Sequence, residues 1–552
     1  MYRIICFVLG SCILATTLLA QKPDLIVHNA NLATMDARYP QASAMAVSGD
    51  RILAVGDNQT ILGLATKATR VIDAEGAFCM PGFIEGHGHF GGLGQSLRKV
   101  NLAGAASYDE VIERVKSFIA DKPRGTWITG RGWDQNLWKS KVFPTQEKLS
   151  LAFPDYPVFL TRVDGHAALA NASALSLASI TKDTKNPSGG EILRDRSGHA
   201  TGVLIDRAMS LVRRVLPRED DMEVIKADLL RAQKLCFQKG ITSFQDAGSG
   251  RTTIGVMSGL MAEDKLKIRL YVMIAGGSSR LVRTLARTAP FVGAHNHRLT
   301  ARAFKVSIDG ALGSRGAAML DDYSDRAGHK GLLMFDQAEM EKIAEAATGA
   351  GYQICVHAIG DRANRCVLNA IEETSKKFPR MRDLRPRIEH AQLLDEDDIP
   401  RFAELGVIAS MQGVHCTSDG PWVSTRIGPD RTKKGAYVWR KLLQTGAVIC
   451  NGTDAPVERV SAIASFFASV TRMTRDGPFH VNERMTRREA LYSYTMAGAW
   501  AAFEERLKGS LTPGKLADFI LLDKNLLTCT DEEILETKVL KTFVGGKVEF
   551  ER

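Results

Sequence analysis

The sequence predicts an α/β protein: a (β/α)8 TIM barrel, a small β-sandwich formed by the N- and C-terminal segments, and a large insertion after the first barrel strand. Three observations carry this. Eight short β-type runs recur through the middle of the chain, with helical patterns between them. Both ends share a β-rich texture that the middle lacks. About 150 residues separate the first run from the second, too many for a single βα connection.

Length and composition agree with that architecture. The 552 residues allow roughly three domains of ~100–200 residues, or one large barrel with additions. Apolar residues make up 45% and charged residues 24%, which excludes a disordered, fibrous or multi-span membrane chain. Lys and Arg number 72 against 62 Asp and Glu, a net charge of +10. The basic residues are dispersed (Arg213-Arg214, Lys376-Lys377, Arg487-Arg488) and no recognition motif accompanies them. They read as a solvated surface, and no nucleic-acid partner is expected.

In chain order, residues 1–20 read as a secretory signal. Arg3 supplies the positive start, an apolar run follows, and Ala20 is the small residue at the cleavage point. Export or a periplasmic location is therefore expected, with an uncleaved single-span anchor as the alternative. No later stretch reaches the ~20 apolar residues a span requires. Residues 21–80 and 505–552 are assigned to the composite sandwich. Leu25-Ile26-Val27 and Ala44-Met45-Ala46-Val47 are strand-like, and Ser48-Gly49-Asp50 before Arg51-Ile52-Leu53 signals a hairpin. The far end repeats this in Phe519-Ile520-Leu521-Leu522 and around Gly545-Gly546. Residues 81–504 form the barrel, with the insertion at about 95–235. Its runs begin at Phe83, Ile241, Leu270, Phe304, Gln353, Arg387, Val407 and Ala447. Two of the nine cysteines, Cys6 and Cys12, fall in the signal, and the other seven are scattered without a CxxC pair. They read as mostly buried thiols.

The chemistry concentrates at the ends of these runs. In Glu85-Gly86-His87-Gly88-His89 the two histidines are two apart, so on a strand they point the same way and suit a metal ion. His357 follows the run from Gln353, His390 follows Arg387-Ile388-Glu389, and Asp454 follows the run from Ala447. In a parallel barrel those ends converge on one face, so the five ligand-type residues point jointly to a metal site. Lys305 lies inside the apolar run Phe304 to Ile308. A buried ammonium is costly. It pairs with a carboxylate such as Asp309, is a strand residue with its amine in solvent, or is capped by CO₂ as a carbamate ligand.

The chain resembles the metal-dependent amidohydrolase superfamily, and more closely the YtcJ-like branch (amidohydrolase family 3) that includes N-substituted formamide deformylase. The matching pieces are Met80 through His89, Arg131-Gly132-Trp133-Asp134, Val163-Asp164-Gly165-His166-Ala167, Lys305 through Arg315, His357-Ala358-Ile359-Gly360-Asp361, Glu389-His390-Ala391, Gly452-Thr453-Asp454-Ala455-Pro456 and Gly509 through Asp518. The resemblance implies one or two divalent ions, zinc foremost, on His87, His89, His357, His390 and Asp454, with a carboxylatable Lys305. It implies hydrolysis of a non-peptide carbon–nitrogen bond, such as an N-acyl or N-formyl amide, by a metal-activated water, with Asp454, His390 and Lys305 as the catalytic set. Arg131, Trp133, His166, Arg315 and His415 are the substrate-binding candidates; Phe83 and Trp138 are further candidates for lining the pocket. Two positions depart from the pattern: Gly413 stands where proline is expected, and Thr453 where serine is common. A lactonase, esterase or deaminase on the same metal site is the enzymatic alternative, and a non-catalytic metal-containing binding protein the other. The partner is a small-molecule substrate, with no membrane contact beyond the signal; assembly into a homo-oligomer is left open.

Overall fold

The computed structural model describes residues 22–39, 42–162, 167–187, 190–217, 221–313 and 315–552. Residues 1–20, read as a signal, lie outside them. Among the described residues no helix is long and apolar enough to cross a membrane.

Eight parallel strands form the barrel sheet: β1 (Phe83–Gly88), β2 (Ile241–Ser249), β3 (Arg269–Ala275), β4 (Leu299–Ser307), β5 (Gln353–Ala358), β6 (Arg387–His390), β7 (Ile408–Gln412) and β8 (Ile449–Gly452). Each is hydrogen-bonded to the next in sequence, from β1 through β8. All eight predicted runs fall in or overlap these strands. Several read as largely apolar runs because strands covered on both faces have little solvent side to alternate against, while Arg387-Ile388-Glu389 alternates. Helices cover the outside. In Asp361–Lys377 the buried residues Ala363, Val367, Ala370, Ile371 and Thr374 recur at the three- and four-residue spacing of one helix face.

Between β1 and β8 no ladder is formed, yet the two strands meet closely. The backbone N–H of Asp454 donates to the His87 carbonyl at 2.8 Å, and that of His89 to the Ala455 carbonyl at 2.7 Å. Two glycines permit this approach. A Cβ on Gly86 would lie 2.4 Å from the Asn451 carbonyl oxygen, and one on Gly452 would lie 2.5 Å from the His87 nitrogen. The seam thus brings the HxH segment and Asp454 side by side.

The sandwich draws on both termini. One sheet holds Arg51–Gly56, Ala44–Ser48, Leu25–His28 and Arg70–Asp73 in that spatial order. The other runs Asn31–Leu32, Phe78–Pro81, Phe519–Leu522, Val539–Val544, Lys547–Glu551. Apolar residues of both sheets share one core, including Leu25, Met45, Val47, Cys79, Leu521 and Phe543. The predicted hairpin turns at Gly49, whose φ of 60° suits glycine. All seven cysteines outside the signal are unpaired, and six of them are buried.

A separate compact unit spans Gly91–Arg231. Its six-stranded sheet runs Gly190–Arg194, Ala200–Asp206, Ala167–Ala170, Val158–Arg162, Ile128–Trp133 and Val100–Asn101. Helix Tyr108–Ile119 starts on Ser107, whose hydroxyl accepts the Glu110 N–H, and it buries Val111 and Val115 against that sheet's core.

Candidate metal centre

Residues Glu85 and His87 project from the same side of β1, and both are fully buried. His87 Nδ1 lies 2.5 Å from Glu389 Oε2. Its Nε2 lies 3.4 Å from Asp454 Oδ1, and His89 Nε2 lies 3.1 Å from the same oxygen. Across the carboxylate, His415 Nε2 is 3.9 Å from Asp454 Oδ2. The His390 ring sits 4.8 Å from that of His87 and 4.5 Å from that of His357, and it stacks on His415 at 6.0 Å. Two sets of three ligand atoms therefore converge, His87–His89–Asp454 and His390–His415–Asp454, each within 4.8 Å.

Several of these atoms are buried without a hydrogen-bond partner: His87 Nε2, His357 Nε2, both ring nitrogens of His415 and Asp454 Oδ1. Such groups are costly unless something satisfies them. A divalent cation is the group that suits converging imidazole and carboxylate lone pairs. Burial also holds His357 at about 3 and His390 well below the usual histidine range, so both are neutral, the form that ligates. At His87, Glu389 and Asp454 act against burial and favour positive charge on the ring. Two of the residues are held in left-handed backbone, His390 at φ 76° and Asp454 at φ 57°. Strain of about 1–3 kcal/mol per residue persists where the surroundings enforce it, and it clusters at functional sites.

His390 Nδ1 is 2.8 Å from Gln412 Oε1, and Gln412 Nε2 donates to the Ser410 carbonyl. His357 reaches the same strand ends, but its Nε2 is 3.5 Å from Asp309 Oδ1 and it joins neither triple. Lys305 is buried within β4, and burial lowers its amine below the usual range. No carboxylate comes within 4 Å of it among the described residues. The alternative pairing with Asp309 is not formed: that carboxyl accepts the backbone N–H groups of Ala318, Ile359 and Gly360 instead. Burial raises Asp309 to about 7. Glu85, raised by burial to about 8, accepts the Thr453 N–H. The Thr453 hydroxyl accepts the Ala455 N–H, as a serine there could.

The glycine that replaces proline has a local reason. Gly413 N–H donates to Asn451 Oδ1 at 3.0 Å, a bond proline lacks, and a Cβ there would meet the Ser465 carbonyl oxygen at 2.5 Å. This seats helix Gly413–Ile427, which carries His415 in its first turn.

The remaining candidates are placed as follows. Arg315 forms a bidentate pair with Asp325 at 2.7 and 3.0 Å. Phe83 is buried edge-on against Tyr494, a packing position. In the 91–231 unit, Trp133 is buried in that unit's core and donates to the Leu160 carbonyl, Trp138 donates to the Ala105 carbonyl, and Arg131 is exposed on the strand Ile128–Trp133. His166 lies outside the described residues. Sequence reasoning missed Arg387, Glu389 and Gln412, whose side chains contact the ligand histidines or their partners inside the barrel. The available signal was the alternation Arg387-Ile388-Glu389, with two charges on one side of a strand otherwise apolar.

The family described as "Amidohydrolase family" matches residues 70–550. The chain is 33% identical over 539 residues to the LONG AFTER FAR-RED 3 protein of Arabidopsis thaliana, covering 95% of this chain and 91% of that one. It is 28% identical over 547 residues to the N-substituted formamide deformylase of Arthrobacter pascens, covering 97% and 99%. Among solved structures, a metal-dependent hydrolase from Pyrococcus furiosus superposes with a TM-score of 0.74 at 30% identity, over 91% of this chain and 100% of that chain. One from Pyrococcus horikoshii OT3 gives 0.75 at 27%, over 92% and 99%.

Proposed function

We infer that this chain, which belongs to the amidohydrolase family, is an enzyme that holds a divalent cation on His87, His89 and Asp454 and hydrolyses a non-peptide carbon–nitrogen bond. Zinc is the metal that best suits imidazole and carboxylate donors at an open site. The observation that carries the reading is the pair of buried lone-pair atoms, His87 Nε2 and Asp454 Oδ1, facing each other at 3.4 Å with no hydrogen-bond partner. When bound, the cation supplies Lewis acidity that polarises a carbonyl and acidifies water.

The chain's own groups do the rest. Asp454 takes a proton from the attacking water and returns it to the leaving nitrogen. His415, facing Asp454 Oδ2 with both ring nitrogens unpartnered, donates to the substrate oxygen or the leaving group. His390 fixes the centre from β6. Lys305, with no carboxylate partner and an amine whose burial favours the neutral form, suits capture of CO₂ as a carbamate. The deformylase relative supports an N-formyl or N-acyl amide as the substrate class. Residues 1–20 support export, which N-terminal sequencing of the mature protein checks.

The test is metal analysis of the purified full chain followed by a hydrolase panel weighted to N-formyl and N-acyl compounds. One or two bound ions and turnover of amides are expected. Turnover of esters or lactones alone moves the reading to a lactonase. Asp454→Asn is expected to keep much of the metal and lose hydrolysis, and near-normal turnover in that variant removes Asp454 from proton transfer. An intact-mass search that finds only a free amine in active, metal-loaded enzyme rejects the carbamate.

A further inference from the structure

The interior of the barrel beneath the centre is charged, and nothing in the reaction above uses that charge. Arg387 is fully buried on β6. Its Nε donates to Glu389 Oε1 at 2.8 Å and its Nη2 to Glu389 Oε2 at 3.0 Å, a fork on one carboxylate. The same Nη2 reaches the Gly86 carbonyl on β1 at 2.8 Å and Ser410 Oγ on β7 at 2.9 Å, and Nη1 donates to Gln245 on β2. Glu389, also fully buried, has its Oε2 2.5 Å from His87 Nδ1.

We propose that Arg387 and Glu389 form a positioning relay that fixes the hydrogen of His87 on Nδ1 and so presents its Nε2 lone pair to the cation. The proposal rests on the reading that His87 holds a cation. Its logic is a count of donors and acceptors. A carboxylate forked by a guanidinium stays ionised and can only accept. The hydrogen between Glu389 Oε2 and His87 Nδ1 must then be the imidazole's own. With the hydrogen held on Nδ1, a ring that ligates a cation, and is therefore neutral, does so through the lone pair of Nε2, the atom that faces Asp454 Oδ1 and has no partner. A carboxylate partner also makes the ring a stronger donor than an amide partner does. The chain contains its own comparison, because His390 Nδ1 is paired with the Gln412 amide oxygen. Of these two histidines, His87 is the one backed by a full charge.

The substitution Glu389→Gln separates this from simple packing. A glutamine has one acceptor oxygen, and Arg387 claims it. The amide NH₂ then points at His87 Nδ1 and drives the ring hydrogen to Nε2, the wrong nitrogen for the cation. In the full chain, stripped with a chelator and titrated with Zn²⁺ against a chromophoric competitor, Glu389→Gln is expected to bind zinc 10- to 100-fold more weakly. Excess zinc is expected to restore turnover, which a collapsed fold would not allow. Zinc affinity within twofold of wild type overturns the relay, as does a loss of turnover that excess zinc does not repair in a folded variant. If the variant does not fold, ring-¹⁵N spectra of the zinc-loaded wild type decide the matter, with the His87 signals identified by their loss in His87→Asn. A proton on His87 Nδ1 is expected, and a bare Nδ1 overturns the proposal. A wild-type chain that binds no divalent ion sinks the reading of the centre itself; a chain that binds zinc equally well with and without Glu389 sinks only the relay.

Discussion

Two interiors lie within one compact unit, and they are built on opposite principles. The sandwich core is a cluster of apolar residues, with Leu25, Val27, Met45, Leu521 and Phe543 buried together and the Phe519 and Phe543 rings stacked at 4.1 Å. The barrel interior holds Arg387, Glu389, Gln245, Tyr271, Gln353 and Ser410, tied by directed bonds such as Tyr271 hydroxyl to Gln353 Oε1 at 2.8 Å and Gln245 Nε2 to the Gly498 carbonyl at 2.6 Å. Apolar burial is non-directional and roughly proportional to area, so a neighbour of similar volume can replace a lost side chain. A buried polar network has no such tolerance, because each lost partner strands the groups it served. The sandwich can therefore serve as a tolerant base, while the barrel interior spends its tolerance on holding His87 and its neighbours in one geometry.

The sharpest way to break this contrast is to place the same residue in both interiors. Arg387→Met leaves Glu389 ionised and buried without its counter-charge and frees acceptors on β1, β2 and β7. It is expected to destabilise the chain by about 3–5 kcal/mol, the cost of breaking a buried pair by removing one member. Leu521→Met in the sandwich conserves volume and is expected to cost less than about 1.5 kcal/mol, with zinc affinity unchanged. Urea midpoints of the two variants against wild type make the comparison. Equal shifts would remove the distinction between the interiors.

A step down in size lies the rim of the barrel. Gly413→Ala puts a Cβ 2.5 Å from the Ser465 carbonyl oxygen and from Ser469 Oγ. Overpacking of this kind costs about 1–3 kcal/mol, and here the strain falls on the helix that carries His415. The expected result is a lower melting temperature together with a fall in kcat. Gly413→Pro also removes the N–H bonded to Asn451 and is expected to be worse on both counts. A stability loss with kcat untouched would separate the helix seat from the site.

The same contrast explains what could be read from sequence. Buried parallel strands leave short β-type runs, most of them apolar, and eight were countable; sandwich strands leave alternation and a hairpin turn. His87, His89, His357, His390 and Asp454 were legible as polar residues at the ends of those runs, because a strand end is where a parallel barrel turns polar. The network beneath them was not legible. Arg387 and Glu389 read as an ordinary alternating strand, since periodicity tells which side a residue faces but not that the side is a barrel interior. The Gly86 and Gly452 seam depends on two strands far apart in the chain. The fate of Asp309 depends on loops that bring Ala318 and Gly360 to its carboxyl.

Outside both interiors, the helix Arg487–Ser493 supplies a surface baseline. Glu489 closes a capping box with Thr486 and pairs with Arg440 through both carboxylate oxygens at 2.7 and 2.8 Å. The Arg440 guanidinium lowers its carboxyl from 4.5 to about 2. A folded value below the unfolded one means that the stability Glu489 contributes is complete above about pH 4.5 and fades as the pH falls, until it is gone below about 2. The pair is about one-third exposed, so solvent screening reduces its worth to about 0.5–1 kcal/mol. Glu489→Gln should therefore lower the urea midpoint slightly at pH 7, and the gap to wild type should narrow as the pH falls from 4.5 toward 2. If the gap does not change across that interval, the bond to Arg440 contributes no stability. If instead it exceeds the shift caused by Arg387→Met, directed bonds matter more at this surface than inside the barrel, and the contrast between the two interiors loses its baseline.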